Sequence, residues 1–321
     1  ALVIDYIMTI AISVASGMDA IFSFLPPGYQ SYKLICSALA ILLLIVLNLR
    51  GVKESITILV PIFLIFIITH LIMLGLAVGQ NTNELFNFIG NTVPQTKEIV
   101  QGIGLWGVLL IMLKAYSHGA GTYTGIEAVS NALPTLREPK QQTGKKTMLY
   151  MAVSLALLSG GLLIFYGVMD ISRETGKTLN ASLFERITQN GNFSLGHWFV
   201  ILTLVSEAAL LFIAAQTGFI GGPQVMANMS LDYWMPRRFA YLSERLTISN
   251  GIMFMGFAAI GIILLTGGHV GLLVVLYSIN VFITFSLSQF GMCRHWLKIK
   301  EMGGRWRNKF AINLIGFLLT T

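Results

Sequence analysis

Eight apolar windows of membrane-spanning length follow one another along the chain, near 1–24, 33–49, 56–79, 103–133, 148–169, 197–222, 250–267 and 269–290. An α-helix rises 1.5 Å per residue, so about 20 apolar residues cross the roughly 30 Å hydrocarbon core of a bilayer. A soluble fold has no room for eight such windows. Charged residues make up 11% of the chain, against roughly 25% in a soluble domain, too few to cover a water-facing surface. The sequence therefore describes an all-α polytopic membrane protein. It excludes a cytosolic enzyme, a nucleic-acid-binding module and a disordered chain. The two cysteines, Cys36 and Cys293, lie in or at the end of apolar runs and support neither a disulfide framework nor a metal site. At the start there is no basic leader and no small-residue cleavage site. The apolar stretches at both ends look interrupted, and we expect a piece of a longer protein.

Charge orients the spans. Loops alternate sides, and one set holds fifteen Lys and Arg residues against five in the other, with Lys114 inside a span. Basic residues accumulate on the cytoplasmic side, so the richer set is expected inside and the first span runs outward. The net charge of +7 is then a cytoplasmic excess, not an affinity for acidic partners. Two outer loops are long, 80–101 and 170–196. The second reads as a short amphipathic helix over 181–188 on the outer face. Asn180-Ala-Ser182 and Asn192-Phe-Ser194 match the three-residue glycosylation pattern, which is weak on its own.

One segment does not read as a simple helix. At 1.5 Å per residue, 102–134 would extend about 50 Å, well beyond the bilayer core. Its middle is Tyr116-Ser-His-Gly-Ala-Gly-Thr-Tyr-Thr-Gly125, where three glycines and several polar side chains interrupt the apolar run. Glycine costs roughly 1 kcal/mol per helical position. Unwound backbone at membrane depth is tolerated where it lines a cavity or is buried in protein, and it marks substrate and ion sites in secondary transporters. We therefore expect a broken helix near 103–133. The alternative is one long, tilted helix whose small residues serve packing.

Ionisable residues inside the windows supply the chemistry. Glu127 follows the break, and a carboxylate within a span costs roughly 2.5–3.5 kcal/mol or more unless paired, solvated or protonated. Ion coordination and proton carriage both fit it, as does a bland place near the headgroups. Asp5, Thr9 and Ser13 fall at i, i+4 and i+8, on one stripe of the first span, with Tyr6 beside them. Their oxygens can replace part of a cation's hydration shell. Lys114 precedes the break and would pair with Asp5 or Glu127, or snorkel. Glu207 is expected to be buried against a serine, Gln216 or another span. Asp19 and His70 read as structural, and His118 lies in the break as a lone histidine.

Gly102-Ile-Gly104-Leu-Trp-Gly107 matches a dinucleotide-binding pattern, yet no strand precedes it and no βαβ unit surrounds it. No H-E-x-x-H, P-loop or G-x-S-x-G occurs, so an enzyme and a dissociable cofactor are not expected.

Several runs resemble a known family. Asn48-Leu-Arg-Gly51-Val-Lys-Glu-Ser55, and Thr124-Gly-Ile-Glu127-Ala-Val-Ser-Asn131 followed by Arg137-Glu-Pro139, resemble the amino acid–polyamine–organocation superfamily. Asp5-Tyr6-Ile-Met-Thr9-Ile-Ala-Ile-Ser13, Leu276-Tyr277 and Ser288-Gln-Phe-Gly291-Met-Cys-Arg-His-Trp296 are similar to its branch of Kim-type potassium importers, relatives of the Kup-type ones. The resemblance covers nearly the whole chain. It implies a five-plus-five inverted-repeat transporter fold entered at the third helix. Residues 1–79 would complete the first repeat, 103–290 would form the second, and 170–196 would be an outer loop helix. It implies potassium-site oxygens at Asp5, Tyr6, Thr9, Ser13, Thr124, Glu127 and Tyr277, with Glu127 titrating. It also implies proton coupling and a homodimer in the plasma membrane. The break sequence, with Tyr123 and His118, departs from the importers' pattern, and the first broken helix is not in this sequence.

Two transport readings follow. The first is proton-coupled uptake of a monovalent cation, potassium, by alternating access, with no other metal. The second is a proton-coupled amino-acid permease of the same fold. There the backbone around Ser117, Gly119 and Gly121 would hold the substrate's carboxylate and amine, a half-helix N-terminus favouring the carboxylate. Partners in either case are the substrate, protons and the lipid bilayer, and no nucleic acid.

Overall fold

In the computed structural model, the described residues are 1–51, 56–119, 129, 133, 136–190, 196–299 and 306–321. Among them the regular structure is helical. In chain order the α-helices are α1 (Leu2–Phe22), α2 (Lys33–Leu49), α3 (Ile56–Gln80), α4 (Thr82–His118), α5 (Lys140–Val168), α6 (Leu179–Asn190), α7 (Gly196–Leu231), α8 (Ser249–Leu265), α9 (Val270–Ile299) and α10 (Trp306–Thr320). Seven helical segments are long and apolar enough to cross a membrane: α1, Pro27–Leu49 including α2, Leu59–Gln80 of α3, α4, α5, α7 and Val270–Lys298 of α9. At 17 residues α8 is shorter, about 25 Å, at the low end of spanning length.

A tight turn separates the windows 250–267 and 269–290. Gly267 and Gly268 both have positive φ, 61° and 69°. Their amides donate to the carbonyls of Leu264 and Ile263, closing the end of α8. An L-residue with a Cβ rarely adopts this conformation, so the glycine pair ends one helix and reverses the chain at little cost.

Two apolar cores share one helix. The first joins α1, α2, α8 and α9 to the inner half of α7 and includes Ile10, Val14, Ile41, Phe219, Met255 and Tyr277. The second joins α3, α5 and α6 to the outer half of α7, through residues such as Met73, Phe165, Phe184, Ile187 and Leu204. With 36 residues, about 54 Å, α7 is long enough to serve both. Lipid is as apolar as leucine, so helices in a bilayer gain by close approach at small residues. A Cβ on Gly218 of α7 would stand 2.7 Å from the Tyr6 carbonyl oxygen and 2.5 Å from Ile10 Cγ1, so only glycine allows α1 to sit this close.

The structure differs from the sequence reading in two places. Segment 80–101 is helix, not an irregular loop. Thr92 and Thr96 donate their hydroxyls to the carbonyls of Phe88 and Thr92 within α4, and Thr82 at its start reaches back to the Val78 carbonyl of α3. Asn81 separates α3 from α4, and Gly104, with φ of 76° and ψ of 163°, divides α4 into two helical pieces. Second, the amphipathic helix in the outer loop does more than lie on a face. Ala181, Leu183, Phe184 and Ile187 of α6 are fully buried, so α6 is wedged into the second core.

Candidate functional site: the buried stripe of α1 and its partners

Polar residues of α1 are among the least accessible in the molecule. Asp5, Thr9 and Ser13 are 3%, 4% and 7% exposed, on a helix whose other buried positions are almost all apolar. The stripe read from the i, i+4, i+8 spacing therefore points into protein rather than lipid or headgroups. Thr9 Oγ1 donates to the Asp5 carbonyl at 2.9 Å, which satisfies its proton and leaves its oxygen lone pairs for a ligand.

The carboxylate has a partner that sequence reading missed. Asn280 Nδ2, on α9, donates to Asp5 Oδ1 at 3.1 Å and to the Ala1 carbonyl at 3.2 Å. A buried charge is tolerated when hydrogen bonds replace its lost water, and an amide donor supplies part of that. The signal was available, since Asn280 is three residues after Tyr277 and so on the same side of α9. Tyr277 is 1% exposed and packs in the same core as Tyr6. On its other side Tyr6 meets α7, where a Cβ on Gly221 would lie 2.5 Å from the tyrosine Cζ. Asp5, Tyr6, Thr9 and Ser13 are thus buried along α1, Tyr277 shares the apolar core with Tyr6, and Asn280 donates to Asp5.

The end of α4 meets a different side of α9. The helix runs to His118 and is capped at Gly119. Ser117, partly exposed, donates its hydroxyl to the Lys114 carbonyl. Tyr116, Ser117 and His118 line a cavity of about 920 Å³ with Ser278, Phe282 and residues of α10. Tyr116 and Phe282 have ring centroids 5.4 Å apart. Asn280 therefore faces α1, while Ser278 and Phe282 line the cavity beside the end of α4. Gly121, Thr124 and Glu127 lie outside the described residues, as does the rest of the expected break and Asn192-Phe-Ser194. Lys114 is exposed.

The remaining ionisable residues have their own partners. Asp19 pairs with Lys33 at 2.7 Å. Gln216 accepts from Asn48 Nδ2 at 2.5 Å, joining α7 to α2, and is not the partner of Glu207. Glu207 instead accepts from Asn180 Nδ2 at 2.9 Å and faces His70. Asn180 also accepts the Tyr166 hydroxyl, and Ser182 is 7% exposed, so the pattern Asn180-Ala-Ser182 is built into the interior and is not an accessible glycosylation site. Outside the spans, Lys177 binds Glu185 at 2.5 Å and Glu174 at 3.8 Å. The hydrogen bond to Glu185, with the charge of both carboxylates, holds the ammonium above its ordinary pKa. Gly102–Gly107 lies within α4, without the strand–turn–helix setting of a dinucleotide site. Among the described residues no three His, Cys, Asp or Glu side chains cluster as metal ligands.

Comparison with known proteins agrees with this architecture. The chain matches the amino acid permease family over residues 1–321. It is 36% identical over 325 residues to the potassium transporter KimA of Bacillus subtilis (strain 168), a match covering 99% of this chain and 50% of that protein. The chain thus spans about half the length of that curated relative.

Proposed function

This chain belongs to the amino acid permease family, and from that premise we propose that it carries the core of a proton-coupled potassium importer working by alternating access. It is a multi-pass protein of the plasma membrane. The observation that supports potassium is the Asp5 stripe. One buried carboxylate, two buried hydroxyls and a buried tyrosine lie along α1, and a second buried tyrosine, on α9, packs in the same apolar core as the first. This donor set offers a weakly hydrated monovalent cation several oxygens and a single full negative charge. The name of the Bacillus relative supports the same substrate.

In this reading Asp5, Thr9, Ser13, Tyr6 and Tyr277 contribute oxygens, joined by Thr124 and Glu127 from the segment after α4. Ser117, Gly119 and Gly121 supply backbone at the break. The last carbonyls of α4 add the negative end of its helix dipole, which also favours a cation. Glu127 is the group that takes up and releases the coupled proton. The importer works as a homodimer in the bilayer, without a dissociable cofactor.

The amino-acid reading keeps one supporting observation, since a cavity of about 920 Å³ beside Ser117 is larger than an ion needs. The deciding experiment is uptake of radioactive rubidium, set against a labelled amino-acid panel, by the full-length protein in a host lacking its own potassium importers. Saturable rubidium uptake that competes with potassium supports the importer. Amino-acid uptake without rubidium uptake overturns it.

A further inference from the structure

A second buried polar assembly lies away from the Asp5 stripe, between α3 and the outer half of α7. His70 is 1% exposed, and its Nδ1 lies 2.9 Å from the Phe66 carbonyl oxygen. A carbonyl can only accept, so Nδ1 carries a hydrogen and donates it. That leaves Nε2, which faces Glu207 Oε2 at 3.9 Å. Both atoms are fully buried and have no hydrogen-bond partner. The other oxygen of Glu207 is already accounted for, because Asn180 Nδ2 donates to Oε1 at 2.9 Å. The amide's orientation follows from its far end, where Asn180 Oδ1 accepts the Tyr166 hydroxyl. From Tyr166 to the Phe66 carbonyl, every hydrogen in the chain has a place except one.

Without that one, a neutral imidazole and a carboxylate would present lone pairs to each other in an apolar setting formed by the rings of Phe66 and Phe184. A buried unsatisfied acceptor costs roughly 1–3 kcal/mol, more when charged, and this arrangement has two. A single proton removes both penalties, either on the carboxyl, donated to Nε2, or on the imidazole beside a carboxylate. Forming that bond takes about 1 Å of side-chain movement, from the present separation to ordinary hydrogen-bond length.

We propose that His70 and Glu207 form a buried site that binds one proton and, through Asn180, ties the docking of α6 to that proton. The surrounding charges are otherwise engaged. On α1, Asp19 is paired with Lys33, and Glu185 of α6 with Lys177. Arg186 of α6, Glu84 of α4 and His197 of α7 are exposed. Tyr166 of α5 is the remaining titratable group, and it donates to Asn180. His70 lies ten residues from the end of α3 and Glu207 eleven from the start of α7, about 15 Å along each helix, so the site is well inside the span. The inference stands on this geometry and not on potassium as the substrate.

The test uses the full-length protein in lipid nanodiscs, without substrate. Hydrogen exchange across 179–190, corrected for intrinsic rates, is followed against pH. If opening of α6 releases the proton, protection falls by roughly tenfold for each pH unit once the released proton ionises. Glu207→Gln supplies a permanent N–H toward His70, so protection of α6 should be retained at every pH and lose its steep dependence. Infrared spectra should show a buried carboxyl or imidazolium band in the parent that Glu207→Gln removes and Glu127→Gln keeps. His70→Gln is the second variant and should also flatten the pH dependence. Unchanged pH dependence in both His70→Gln and Glu207→Gln, or infrared spectra showing only a carboxylate and a neutral imidazole, overturns the site. Neither readout involves transport, so failure of the potassium reading would be seen separately in rubidium uptake.

Discussion

Asp5 and Glu207 are both carboxylates inside membrane-spanning helices, and the molecule accommodates them differently. Asp5 belongs to a stripe of oxygens on its own helix and takes a neutral amide donor from α9. Its surroundings are rich in acceptors and suit a cation. Glu207 stands among groups from other helices, an asparagine, a tyrosine and a histidine, arranged end to end in a hydrogen-bonded chain. Its surroundings lack one hydrogen and suit a proton. The lesson is that charge in a span does not by itself name a role. The balance of donors and acceptors around it does.

Substitutions can break this comparison at several strengths. The largest effect is expected at Glu127, the group proposed to carry the coupled proton. Glu127→Gln should abolish proton-coupled rubidium uptake while surface expression stays normal. Preserved coupled uptake in vesicles with an imposed pH gradient would remove its titrating role. Asp5→Asn should come next. Replacing a charged ligand by a neutral one loses roughly 1.5–3 kcal/mol, about 10- to 100-fold in apparent rubidium affinity. The same change should leave the pH dependence of α6 protection unaltered, which keeps the two clusters distinct.

Gly218→Val tests the scaffold that holds the Asp5 stripe. The added atoms meet backbone of α1, and overpacking of this kind costs typically 1–3 kcal/mol. A lowered thermal midpoint with weaker rubidium binding is expected, and an unchanged midpoint would mean the α1–α7 contact is looser than described. Asn280→Ala should be milder, about fivefold in rubidium affinity for a hydrogen bond worth about 1 kcal/mol. Lys177→Met should have the smallest effect, because its pairs are at the surface. Its sign is still definite. The folded ammonium's pKa is raised, so the pair stabilises fully below the ordinary lysine range and fades as pH rises through the raised value. Thermal midpoints of parent and variant should therefore converge at strongly alkaline pH.

Much of this was legible in the chain. Apolar run length placed most of the spans, although the fourth helix begins at Thr82 and not near 103. The i, i+4, i+8 spacing placed Asp5, Thr9 and Ser13 on one face, and that face is buried. Other features were not legible. Segment 80–101 read as a loop because local composition does not reveal that Thr92 and Thr96 bond their hydroxyls back to their own helix. Asn280 lies at i+3 from Tyr277, but its spacing alone does not say which helix that side of α9 faces. For Glu207 a serine, Gln216 or another span were all open, and packing chose His70 of α3 with Asn180 of α6, while Gln216 faces Asn48.

The sequence by itself determined that this chain crosses a membrane repeatedly and which stripe of the first helix carries oxygens. Those properties depend on composition and on the period of a single helix, both of which are local. Only the tertiary structure decided that α6 is wedged into a core, that Asn280 is the donor for Asp5, and that His70 and Glu207 face each other across one missing hydrogen. Those properties depend on which helices pack together and at what rotation. Close contacts such as Gly218 against Tyr6 set that rotation, and no single helix contains it.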